Sequence, residues 1–121
     1  MEQEEKKALI LLKSLIFHYH GLDPDEKKIL EGYVNTLDAE EEYHWANDFI
    51  SSDYLSAFER CKEFISKVFK AFTKKKRLMY LVETWEDNHK KGYVTEMETT
   101  AMINLSKEFE VDAEFLKAIN H

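Results

Sequence analysis

The chain has one cysteine, one proline and three glycines in 121 residues. A single cysteine excludes a disulfide framework, a Cys-x-x-Cys redox pair and a thiolate zinc site. So few glycines exclude phosphate-cradling loops, and neither G-x-G-x-x-G nor G-x-x-x-x-G-K-[ST] occurs. They also argue against a sheet protein, which needs turn residues about every 8–12 positions. Long apolar runs are missing too. The longest, Ala8–Leu12, is ended by Lys13, far short of the roughly 20 residues that span a membrane. The opening Met-Glu-Gln-Glu-Glu is acidic where a secretory leader is basic. A cytoplasmic protein is therefore expected, and the lone Cys61 suits a reducing compartment.

What is present is a folding composition, 44% hydrophobic and 34% charged, long enough for one domain over residues 1–121. The net charge of −7 is unevenly laid along the chain. Residues 1–59 carry 5 basic and 14 acidic side chains, residues 60–91 carry 10 and 4, and residues 92–121 carry 2 and 6. Acidic flanks repel a phosphate backbone, which disfavours nucleic acid as the partner. A basic segment between acidic ones suits a protein partner, self-association as a homo-oligomer, or one anionic ligand.

Helical periodicity runs through the whole sequence. Ala8, Leu9, Leu11, Leu12, Leu15, Ile16 and Tyr19 form a stripe broad enough for a central helix over about 4–19, with Gly21 to end it. Asp23, Pro24 and Glu26 make a capping-box start for a second helix with the stripe Ile29, Leu30, Tyr33, Val34 and Leu37. Gly32 within it suggests a close helix approach. Asp38 is the expected cap of a short third helix ending near Ile50. A long fourth helix steps through Tyr54, Phe58, Cys61, Ile65, Val68 and Phe72 to a break near Thr73, and Lys74-Lys75-Lys76-Arg77 suits its negative end. The fifth helix carries Leu78, Leu81, Val82 and Trp85 and gives way to a polar loop over 87–92. Thr95 and Glu98 form a second capping box before a sixth helix with Met97, Ala101, Met102, Leu105 and Phe109. Asp112 is the expected cap of a last short helix.

The two capping boxes read as an internal repeat. Leu22-Asp23-Pro24-Asp25-Glu26 aligns with Val94-Thr95-Glu96-Met97-Glu98, and each sits between two apolar helices. The expected fold is an all-α compact bundle of about six to seven helices with two pseudo-symmetric helical hairpins. Two copies are too few for a solenoid, so they must share one core.

A helix, a polar corner with a cap and a Glu three residues later, then a second helix, given twice, resembles the TerB-like domains, the family of the tellurite-resistance TerB proteins, which is itself similar to the N-terminal region of membrane-anchored DnaJ-like co-chaperones. The resemblance covers roughly residues 5–119 and rests on Leu22–Glu26 and on Gly92-Tyr93-Val94-Thr95-Glu96-Met97-Glu98. The position before the glycine, Asp in the family, is Lys91 here, with Asp87 four residues upstream; the corresponding pair in the first copy is Tyr19-His20. The resemblance implies an all-helical domain with an accessory role in stress response or protein interaction, and no established catalysis.

Several constellations could carry chemistry. Asp23, Asp25, Glu26, Asp87 and Glu98, with Glu96, are oxygen donors at helix corners and could hold a divalent cation, the only candidate cofactor. The calcium-loop pattern D-x-[DN]-x-[DN]-G is absent, and N-capping alone accounts for Asp23, Glu26, Thr95 and Glu98. Glu41-x-x-His44 and Glu86-x-x-His89, with Glu63, have the spacing of ligands in a di-metal bundle enzyme, though glutamate is common enough here that two such pairs carry little weight. His18 and His20 face different sides of a helix and suit its C-terminal end. Cys61 falls on an apolar stripe, where an inert thiol is expected, and no G-x-S-x-G elbow exists. Lys74, Lys75, Lys76 and Arg77 form a basic patch for an acidic partner. Tyr43, Trp45 and Tyr54 are aromatics suited either to an interface or to packing under the fourth helix. The reading is a non-enzymatic interaction or regulatory domain. Its alternatives are a metal-dependent bundle enzyme and a nucleic-acid accessory protein.

Overall fold

The computed structural model describes residues 1–17 and 23–120. The expectations at His18, Tyr19, His20, Gly21 and Leu22 lie outside the described residues. Seven helices follow one another: α1 (Gln3–Phe17), α2 (Pro24–Leu37), α3 (Glu40–Ser51), α4 (Ala57–Phe69), α5 (Lys74–His89), α6 (Glu96–Glu108) and α7 (Asp112–Ile119). The described residues contain no strand, so the chain is all-α as its glycine and proline content requires. No described helix is long and apolar enough to cross a membrane.

Helix α1 is the axis of the bundle. Every residue from Ala8 to Phe17 is buried, because α2, α3, α4, α5 and α6 all pack against it. A helix surrounded in this way can be apolar on all sides. Helix α7 closes the far side against α5 and α6. Ile10, Leu11, Leu12, Leu30, Ile65, Leu81, Met102, Leu105 and Phe115 form the dry centre. Burying a Leu, Ile or Phe side chain there is worth roughly 1.5–3 kcal/mol.

The helix ends are set by local chemistry, and three differ from expectation. Asp38 does not cap α3. It adopts the left-handed conformation (φ 52°) and closes α2, with the Ala39 N–H donating to the Val34 carbonyl at 3.0 Å. Asp112 is the first residue of α7 rather than its cap, and α6 ends through Glu110 (φ 61°) with the Val111 N–H on the Ser106 carbonyl. The largest difference is at Lys74–Arg77. These residues open α5 behind the N-cap Thr73 instead of closing α4, which stops at Phe69. Arg77 makes the short α4 stable there. Its guanidinium donates to the carbonyls of Phe69 (2.8 Å), Phe72 (3.2 Å), Lys70 (3.3 Å) and, from α6, Phe109 (3.2 Å). One side chain thus gathers carbonyls at the ends of two helices, where the intrahelical ladder runs out, and shares that of Phe69 with the Phe72 N–H at 2.9 Å. Among the described residues a Cβ built on Gly32 would meet nothing within 4 Å, so none of the seven helices approaches it closely.

Candidate functional site

Both capping boxes form in full. The Asp23 carboxylate accepts the Glu26 N–H at 2.8 Å, and Glu26 accepts the Asp23 N–H at 3.2 Å. Thr95 accepts the Glu98 N–H at 3.2 Å, and Glu98 accepts both the N–H and the hydroxyl of Thr95 at 2.9 Å. Each glutamate therefore spends one oxygen on its own helix start and turns the other inward. The two inward oxygens meet on one cation: Lys91 Nζ donates to Glu26 Oε2 at 3.1 Å and to Glu98 Oε2. All three side chains are fully buried. The phenol of Tyr93 adds a fourth strand of the clasp, donating to Asp23 Oδ2 at 2.7 Å while its ring lies 4.7 Å from the Lys91 ammonium.

The electrostatics follow from these contacts. The Glu26 N–H, then the Tyr93 hydroxyl, hold the Asp23 carboxyl below the usual carboxylate range. Burial alone would raise Glu98, but the Lys91 ammonium and the Thr95 donors outweigh it, and its carboxyl is held low. Tyr93 is pushed up to about 12, chiefly by its bond to the Asp23 carboxylate.

A second buried cation lies on α1. Lys13, only 1% exposed, is bound by Asp87 and lies 3.2 Å from Glu83, with its ammonium 3.8 Å from the Tyr33 ring centre. Burial and the Glu83 hydrogen bond drive the Tyr33 phenol far above its usual range. Lys90 reaches the other Asp87 oxygen from outside at 2.9 Å, and this contact raises its own ammonium.

The five acids predicted to share a cation are thus divided. Glu26 and Glu98 come together on Lys91, Asp23 joins them through Tyr93, and Asp87 serves Lys13 and Lys90. Asp25 is exposed. The alternative ligands lie on two separate helices, Glu41 and His44 on α3 and Glu86 and His89 on α5, all exposed. Among the described residues no three or more His, Cys, Asp or Glu side chains gather as metal ligands. Asp87, Asn88 and His89, expected in a loop, belong with Glu86 to the last turn of α5. His89 lies on Trp85, its Nδ1 3.0 Å from the Trp85 carbonyl oxygen.

The predicted interaction residues also separate. Trp45 packs between Phe49 (5.1 Å between ring centres) and Phe64 of α4 (4.9 Å), under the Lys7 ammonium, and Tyr43 is half-buried beside it. Lys76 pairs with Glu5 and covers the Phe72 ring, and Arg77 caps carbonyls, which leaves Lys74 and Lys75 exposed. Cys61 is buried and its thiol is pushed up to about 12 by desolvation.

An exposed feature that sequence periodicity missed is the turn between α3 and α4. Leu55 is 100% exposed and Tyr54 67%. The backbone that carries them is pinned. Arg60 donates to the Phe49 carbonyl (2.7 Å), the Asp53 carbonyl (2.8 Å) and the Ser56 hydroxyl (2.7 Å), and Asp53 accepts the Leu55 N–H and the Ser56 hydroxyl. The signal was available in Asp53-x-x-Ser56, a turn-bracing spacing, but Tyr54 also fitted the apolar stripe of the fourth helix.

No family model matches the chain, and no curated protein or solved structure matches it either.

Proposed function

We propose that this chain is a non-enzymatic interaction module of the TerB-like kind, with an accessory role in stress response, and that it works through the turn between α3 and α4. The observation that carries the reading is the pinned backbone under Tyr54 and a fully exposed Leu55. A large apolar side chain held in water on a rigid turn costs little ordering entropy when a partner covers it, and aromatics so placed are typical anchors of interfaces. The acidic corner supports this division of labour: its carboxylates are spent on helix starts and on Lys91, so it serves as the clasp of the scaffold.

The test compares wild type with Leu55→Asp. A partner recovered with the wild type is purified and its affinity measured for both forms. The reading expects the variant to bind at least about tenfold more weakly, or about 1.4 kcal/mol, with an unchanged melting temperature. Equal affinity overturns it.

A further inference from the structure

We propose that copies of this chain associate head to tail, the Tyr54–Leu55 turn of one seating in the pocket that Lys74, Lys75, Leu78 and Glu114 line on the next. This rests on the reading of that turn as the working surface and names its occupant as a second copy.

Charge selects the pairing. Around the turn lie three exposed carboxylates, Asp48, Asp53 and Glu59, of which Glu59 pairs with Lys62 at 3.0 Å, while Arg60 is spent on the turn's own carbonyls. Residues 67–77 contain six Lys or Arg and no Asp or Glu. Lys74 and Lys75 are exposed and meet no carboxylate within ion-pair distance among the described residues. An acidic turn with an apolar tip therefore faces a pocket with two lysines, one carboxylate (Glu114) and one apolar side chain, Leu78, so its charge is net positive. The pocket is an open depression of about 380 Å³, room for a side chain entering from outside.

Geometry makes the contact intermolecular. The turn leads into the N-terminus of α4, and Arg77 ties the start of α5 to its C-terminus. The 13 residues of α4 hold the two surfaces about 20 Å apart at 1.5 Å per residue. A turn pinned to one end of a rigid rod does not reach the other end of the same rod. Two different surfaces pairing in this way make a heterologous contact, which builds rings or open chains of copies. Opposite charge speeds and orients the encounter, so the contact must weaken with salt.

Sedimentation equilibrium of the full chain tests this at about 0.01 M and about 1 M ionic strength, across which the Debye length falls from about 30 to about 3 Å. The proposal expects the weight-average mass to rise with protein concentration at low salt and to return toward 14.4 kDa at high salt. Leu55→Asp and the double variant Lys74→Glu/Lys75→Glu should each remain monomeric at low salt. Their mixture is the decisive sample. One variant keeps its pocket and the other keeps its turn, so together they should form a one-to-one dimer and nothing larger. A monomeric wild type, a variant that associates like wild type, or a mixture that stays monomeric overturns the pairing. A monomeric wild type whose Leu55→Asp variant still loses a foreign partner retires the head-to-tail contact alone. A turn that matters to neither assay retires both readings.

Discussion

Replacing Lys91 by Met removes a cation shared by two buried carboxylates, and its cost follows from the contacts. Glu98 keeps the Thr95 N–H and hydroxyl, and Glu26 keeps the Asp23 N–H, so both helix starts stay capped. What is lost is the Lys91 bond to Oε2 of each glutamate, at a site with no solvent access. Removing one member of a buried ion pair costs about 3–5 kcal/mol, because a charge is left uncompensated. That is a large share of the roughly 5–15 kcal/mol that holds a domain folded. With about 2.1 cal/mol/K of unfolding entropy per residue over 121 residues, the variant should melt about 12–20 °C lower. The pH dependence gives the sign. In the wild type the Glu98 carboxyl lies below its ordinary 4.5, so its contribution is present at neutral pH and is lost as pH falls through the folded value. In Lys91→Met the burial that already pushes the Glu98 carboxyl up loses its chief counterweight, so acid relieves the variant. The gap between the two proteins should therefore narrow as pH falls from 7 toward 4.5, measured by urea denaturation. Adding Glu26→Gln and Glu98→Gln to Lys91→Met should recover most of the loss at pH 7. A cost below about 1 kcal/mol, the size of an ordinary hydrogen bond, or a gap that does not change with pH, refutes the clasp.

Four other outcomes follow from single side chains. Tyr93→Phe removes the hydroxyl on Asp23, and the Asp23 carboxyl should move toward its ordinary 3.8 in an NMR titration. Arg77→Lys keeps the charge but loses the fork that caps Phe69, Phe72 and Phe109; a drop of about 1.5–3 kcal/mol is expected, and an unchanged melt would show that those carbonyls find other donors. Cys61, buried with its thiol pushed up to about 12, should react with a thiol reagent at neutral pH only at the rate of unfolding, so labelling faster than that would place it at a surface. Asn88 is fully buried, and among the described residues neither of its side-chain amide atoms has a hydrogen-bond partner. An unmet buried donor or acceptor costs about 1–3 kcal/mol, so Asn88→Leu should raise the melting temperature, and a lower one would reveal a role for that amide.

The parts of the fold legible in the sequence are those decided within four residues. Asp23 with Glu26 and Thr95 with Glu98 announce two capping boxes because cap and N3 residue are neighbours in sequence, and both form. The central place of α1 was legible in the width of its stripe. The misread ends share one cause: a residue type suits two local states, and distant partners choose between them. Asp38 can cap a helix or turn the chain left-handed. Lys74–Arg77 suit a helix C-terminus by charge, but Thr73 caps them as a start and Arg77 reaches back to the carbonyls of the helix before. The clasp itself was hidden for the same reason. Lys91 lies 65 residues from Glu26, and no periodicity links a loop lysine to a capping glutamate on another helix. Lys13 looked like the residue that breaks an apolar run; the run continues through it because Asp87, 74 residues on, takes its charge.

That separation has a consequence for synthesis. Ala8–Phe17 leaves the ribosome long before the helices that enclose it, and the acid that neutralises Lys13 is made 74 residues later. At about 5–20 residues per second, the greasiest helix of the molecule waits roughly 4–15 s without its shelter. Until α5 emerges, the faces of α1 that the later helices cover lack those partners, and Lys13 lacks its acid.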